Sequence, residues 1–160
     1  MRYQHIWDKV LGAGEHVAYE FSISHRYINI SLGFWFFVSL AFVPFYGIGI
    51  VLFAAALFHL GFYLRVSNAY AFTNKRILIK RGWLSTNMVS IDFSRITDIK
   101  ASESFFDRVI FRSGILLINT AGTGEHEVRL NRVYDVYSVK QRLTTLMDQD
   151  EHAHSGRSAT

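Results

Sequence analysis

Between Tyr27 and Leu64 the chain runs for 38 residues without an Asp, Glu, Lys or Arg, and no other feature restricts its fold so tightly. Read as one helix at 1.5 Å per residue, the stretch reaches about 57 Å, nearly twice a hydrocarbon core of about 30 Å. One crossing does not fit, but two do if the chain reverses near the middle. Pro44-Phe45-Tyr46-Gly47 supplies the reversal, because proline breaks the helical ladder and glycine tolerates a tight turn. The expectation is a transmembrane helical hairpin with arms at about Ile28–Val43 and Gly47–Leu64, each near the short end of the spanning range.

The charges around the stretch orient it. Arg2, Lys9 and Arg26 precede it, Arg65, Lys75, Arg76, Lys80 and Arg81 follow it, and the turn carries none. The positive-inside bias then puts both termini in the cytoplasm. The opening MRYQHIWDKV lacks the charged-then-apolar order of a cleavable signal, so the first arm is expected to act as the insertion signal. Cysteine is absent, which removes disulfides and thiol chemistry, and the net charge of +4 says less than its placement.

On either side of the hairpin the pattern is that of a soluble fold. Tyr3, Ile6, Trp7, Val10 and Leu11 have helical spacing, read either as a surface anchor on the membrane or as a helix packed on the later domain. Val17, Tyr19, Phe21 and Ile23 alternate as a strand expected to pair with the sheet downstream. After the hairpin, strands are predicted on both sides of Thr73-Asn74-Lys75-Arg76, at Met88–Phe93, at Ile96–Ala101, at Gly114–Ala121 and at His126–Val133. A helical turn or two is expected over Ser104–Ile110 and a tight turn at Gly122–Glu125. Val136, Val139, Leu143 and Leu146 predict a closing helix over Asp135–Met147. The polar tail 148–160 is predicted to be disordered. The fold class is therefore α+β: a helix and strand over 1–26, the hairpin over 27–64, an antiparallel domain of about seven strands with a C-terminal helix over 65–147, and the tail.

The run from Tyr70 through Thr73-Asn74-Lys75-Arg76 to Gly82-Trp83-Leu84, then Ile91-Asp92-Phe93-Ser94-Arg95-Ile96, then Ser104-Phe105 and the strand after Gly114, resembles the bacterial pleckstrin-homology (PH) family. Leu11-Gly12-Ala13-Gly14-Glu15, followed by Ser24-His25 just before the hairpin, is similar to that family's membrane-flanked members with two transmembrane helices. One departure is Phe111-Arg112-Ser113, where relatives tend to carry a second glycine before Gly114. The resemblance implies two bent antiparallel sheets capped by a helix and a location in the bacterial inner membrane. It implies little about activity, since a shared fold does not determine function.

Lys75, Arg76, Lys80 and Arg81 fall within seven positions, shortly after the second arm. They read either as a patch for anionic lipid headgroups or as charges that set topology and solvate a sheet edge. His59 is the one readily ionisable group inside the hairpin apart from tyrosine. It reads as a proton relay or ligand, or as a snorkelling or interhelical hydrogen-bonding group. No nucleophile elbow, P-loop, zincin or dinucleotide motif occurs. The expectation is a non-enzymatic membrane module without cofactor or bound metal, whose partners are membrane lipid and a protein or second copy of itself, not nucleic acid. The competing reading is an oligomeric transport or channel subunit with His59 in its interior.

Overall fold

A computed structural model of the chain describes residues 3–45, 47–83, 87–121 and 127–157. Seven strands form two antiparallel sheets. The first holds β1 (Val17–Ser22), β2 (Asn68–Thr73), β3 (Arg76–Arg81) and β4 (Asn87–Asp92) in that order, and the second holds β5 (Ile96–Ser102), β6 (Ser113–Thr120) and β7 (Glu127–Tyr134). The strand read before the hairpin is β1, paired antiparallel to β2 with Phe21 opposite Tyr70. The helices that separate β1 from β2 in sequence are thus an insertion into one sheet. Just past β1, Ile23 bridges to Val133 of β7 and stitches the two sheets together. The turn read at Gly122–Glu125 lies outside the described residues.

The main core lies between the sheets, where Tyr70, Phe72, Ile77 and Ile79 meet Leu116, Ile118 and Leu130 beneath Val136, Val139 and Leu143 of the C-terminal helix. A second, smaller core covers the outer face of the first sheet. There α1 (Gln4–Trp7) lays a fully buried Trp7 over Val17, Ala69, Ala71 and Leu78. Of the two readings of the N-terminal helix, the packed one holds. Trp7 also donates its indole N–H to Glu20 at 3.1 Å, as a buried indole requires. With both faces covered, β2 and β3 are buried along almost their whole length.

Helices α2 (His25–Phe42) and α3 (Ile48–Ser67) form an antiparallel pair, with a π-helical stretch, Leu57–Tyr63, inside α3. The reversal falls where Pro44 and Gly47 predict it, with Gly47 in the left-handed region at φ 72°. The pair closes tightly because Gly49 has no side chain: a Cβ there would stand 2.0 Å from the Ser39 carbonyl oxygen. Above that contact Phe36 and Phe53 pack edge to face, their centroids 5.4 Å apart.

Two expectations need correction. Among the described residues one helix, Ile48–Ser67, is long and apolar enough to cross a membrane by length and composition. The first arm falls short because α2 begins with His25 and Arg26 and carries Asn29 one turn later, leaving too few apolar residues in its 18. The tail read as disordered from residue 148 is helical, since the C-terminal helix runs Val136–Arg157. Low hydropathy argued for disorder there, but Asp148 to His152 includes glutamine and glutamate, good helix formers, with no proline to stop propagation.

Candidate functional site

The last four carbonyls of a helix have no intrahelical partner, and at the end of α3 the β domain supplies all four. Leu64 O accepts from Asn68 Nδ2 at 3.3 Å, Arg65 O from Tyr3 Oη at 2.8 Å, Val66 O from Lys80 Nζ at 3.2 Å, and Ser67 O from Gly82 N at 2.8 Å. Lys80 adds a cation at the negative end of the helix, where it is favoured. The next residue, Asn68, already belongs to β2.

The start of α2 is held by the other sheet. Ser24 caps it by accepting from Tyr27 N at 3.4 Å, and donates its own N–H to Arg132 O at 2.9 Å and its hydroxyl to Phe111 O at 3.4 Å. The feet of the two helices therefore stand on different sheets. Between them lies a cleft of about 550 Å³, bounded by Tyr27 and Leu64 at the helix feet, Asn68 and Arg81 of the first sheet, and Asn131 and Arg132 of the second. Its size is that of a small-ligand site.

A β-bulge aims Arg132 into this cleft. The β6–β7 register slips between Leu116↔Leu130 and Gly114↔Val133, and Arg132 takes φ 58°, a left-handed conformation costly for a side chain other than glycine. The strained residue stacks its guanidinium over the Tyr27 ring, 3.9 Å from the centroid, a favourable cation–π arrangement. Arg81 reaches the same cleft and donates to the Arg129 carbonyl. Tyr70 in the wall bonds Asn68 Oδ1 at 3.4 Å, and burial raises its pKa against the opposing charge of Arg81, so it stays a neutral phenol. The acidic wall residue, Asp107, is occupied by the hydroxyls of Ser104 at 2.6 Å and Ser113 at 3.4 Å. Two guanidiniums, two amides and two phenols, set beside the apolar Ile23, Phe111 and Ile115, make a lining suited to holding an anion.

The four basic residues read as one patch do not converge. Consecutive strand residues face opposite ways, so Lys80 and Arg81 part company: Lys80 is buried under α3, while Arg81 lines the cleft. Arg76 is bound on the outer face of the first sheet to Glu15 of the N-terminal loop, with Nη2 and Oε2 2.7 Å apart. That carboxylate also accepts from Thr73 Oγ1 and Gly12 N, and the Arg76 contacts first, then these, bring its pKa from 4.5 to about 2 despite burial. Lys75, in the exposed β2–β3 turn, lines a different hollow with Asp92, Asp148 and Glu151. His59 is exposed on α3, stacked on Tyr63 with centroids 5.5 Å apart.

Of the residues bounding the cleft, Arg81 is the one that the sequence offers as a candidate; Tyr27, Asn68, Tyr70, Asp107, Asn131 and Arg132 are not among its candidates. Neither a bulge nor a cation–π contact between residues so distant in the chain has a sequence signature here.

Residues 35–147 match the family model for the bacterial PH domain. The chain belongs to that family. Among solved structures, this bacterial PH domain protein is similar to a DUF1696 family protein with a pleckstrin-homology domain from Shewanella loihica PV-4. The two share 12% identity over 91% of this chain and 93% of that one, with a TM-score of 0.51, a likeness of fold alone. Comparison with curated proteins gives no match. Membership of that family supports a non-enzymatic binding module in general terms.

Proposed function

We propose that this bacterial PH domain protein is a membrane-flanked member of its family, a non-enzymatic module seated by α2 and α3 in the bacterial inner membrane. Its termini lie in the cytoplasm, and the cleft at the helix feet holds the phosphate of an anionic lipid headgroup. The bulge at Arg132 carries the reading: a strained backbone turns a guanidinium into the cleft at the level where Tyr27 and Leu64 leave the helices. The exposed apolar surface of α3, including Ile50 and Val51, supports the seating. α2 is marginal alone, but His25 and Arg26 in its first turn can snorkel to headgroups while its apolar remainder enters the bilayer. Other faces of the sheets remain for a protein partner or a second copy.

The test is titration of the full chain in detergent micelles with short-chain phosphatidylglycerol and phosphatidylcholine. The anionic lipid should bind more tightly. Losing a hydrogen bond to a charged group costs about 1.5–3 kcal/mol, so Arg132→Gln should weaken that binding at least tenfold, while Lys75→Gln leaves it unchanged. Equal affinity for the two headgroups, or indifference to Arg132→Gln, refutes the headgroup assignment. Protection of the C-terminal helix from protease in inverted vesicles refutes the orientation.

A further inference from the structure

We propose that the short helical segment between β5 and β6, Ser104 to Phe111, is a second point of contact with the bilayer, a ledge that sinks its apolar side chains among the lipid headgroups beside α2. Phe105, Phe106, Val109 and Ile110 are 72%, 64%, 61% and 40% exposed. At positions i, i+1, i+4 and i+5 of a helical turn they share one face. None of them joins either core of the protein. Two adjacent, largely exposed phenylalanines followed by two more large apolar residues make an apolar patch of the kind that marks an interaction surface.

What covers the patch follows from where it stands. The ledge is anchored from behind, by Asp107 to Ser104 and Ser113 and by Phe111 to Tyr27, whose ring centroids are 5.1 Å apart. It therefore abuts the first turn of α2, at the point where the chain enters the apolar helix pair. Arg108 and Arg112 are exposed in and just after the same segment, the pairing of apolar anchors with cations that interfacial segments use on anionic membranes. Against the other helix of the pair, Trp83 after β3 rests edge-on on Phe62 and Phe58 of α3, at 5.2 and 6.0 Å between centroids. Tryptophan at that level suits the headgroup region. The β domain thus meets the plane of the membrane beside both helices. This rests on the membrane seating proposed above, and adds that the domain itself is partly immersed.

The chain has no cysteine, so single thiols can be introduced without background. The full-length variants Phe105→Cys, Phe106→Cys and Val109→Cys, with Val51→Cys on the exposed face of α3 and Ser90→Cys on exposed β4 as references, are labelled with an environment-sensitive fluorophore. They are reconstituted in phosphatidylglycerol–phosphatidylcholine vesicles and quenched either by nitroxide lipids or by aqueous iodide. Ledge probes should be quenched by shallow nitroxides and be at least fivefold less sensitive to iodide than the probe at 90. If they respond to iodide as that probe does while the probe at 51 is quenched by lipid, the ledge is refuted and the seating of the helices stands. If the probe at 51 is not quenched by lipid either, the seating fails and the ledge with it. Shielding of the ledge probes from both quenchers means that protein, such as a second copy, covers the patch, and overturns the proposal.

Discussion

Replacing Glu15 by glutamine removes one charge from the centre of a network that joins the N-terminal loop to the first sheet. The carboxylate accepts from Arg76 Nε at 2.8 Å, Arg76 Nη2 at 2.7 Å, Thr73 Oγ1 at 2.8 Å and Gly12 N at 2.8 Å, and its side chain is only 3% exposed. Its pKa falls from 4.5 to about 2; at 1.36 kcal/mol per unit the ionised form is stabilised by about 3 kcal/mol. Because the folded value is the lower one, this stability is fully present above pH 4.5 and is lost as pH falls towards 2. Glu15→Gln should therefore lower stability by about 3 kcal/mol at pH 7, a midpoint drop of roughly 6–12 °C for a chain of this size. Unfolding of both proteins in the same detergent, followed by near-ultraviolet circular dichroism at pH 7, 5.5 and 3, measures the gap. It should be equal at the two higher values and narrower at pH 3. A gap that stays constant from pH 7 to 3, or one below 1 kcal/mol at pH 7, refutes the assignment of a buried, charge-stabilised pair.

Gly49→Leu places side-chain atoms where even a Cβ would overlap the Ser39 carbonyl oxygen. The helix pair must separate, at a cost of about 1–3 kcal/mol, and disulfide trapping between cysteines at Phe36 and Phe53 should fall relative to the protein with Gly49. Lys80→Met keeps the buried stem but leaves the Val66 carbonyl without its donor, so stability should drop by about 1–3 kcal/mol. Anionic lipid binding by folded protein should be unaffected, and a loss of lipid binding at unchanged stability contradicts the capping role.

Patterns carried by neighbours in sequence were legible. Alternation at Val17, Tyr19, Phe21 and Ile23 located β1, and Pro44 with Gly47 located the reversal. Spacing of Val136, Val139 and Leu143 identified the buried face of the closing helix. The basic cluster, close in sequence, is divided by the strand that carries it. Strand alternation, applied to it, separates Arg76 and Lys80 from Arg81. What sequence could not supply were partners brought together by topology: Glu15 with Arg76, Tyr3 with the Arg65 carbonyl, and Arg132 with Tyr27. Each joins residues far apart along the chain, and the tolerance of the surrounding fold for a left-handed arginine is a tertiary effect.

The four capped carbonyls at the end of α3 also have a mechanical meaning. With Ser67 bonded to Gly82 and Asn68 already in β2, no flexible joint separates helix from sheet. α2 is clamped to the opposite sheet through Ser24 and Ile23. α2 also follows β1 of the first sheet directly, and Arg81 is bonded across to the Arg129 carbonyl of the second, so helices, sheets and cleft walls are braced as one frame.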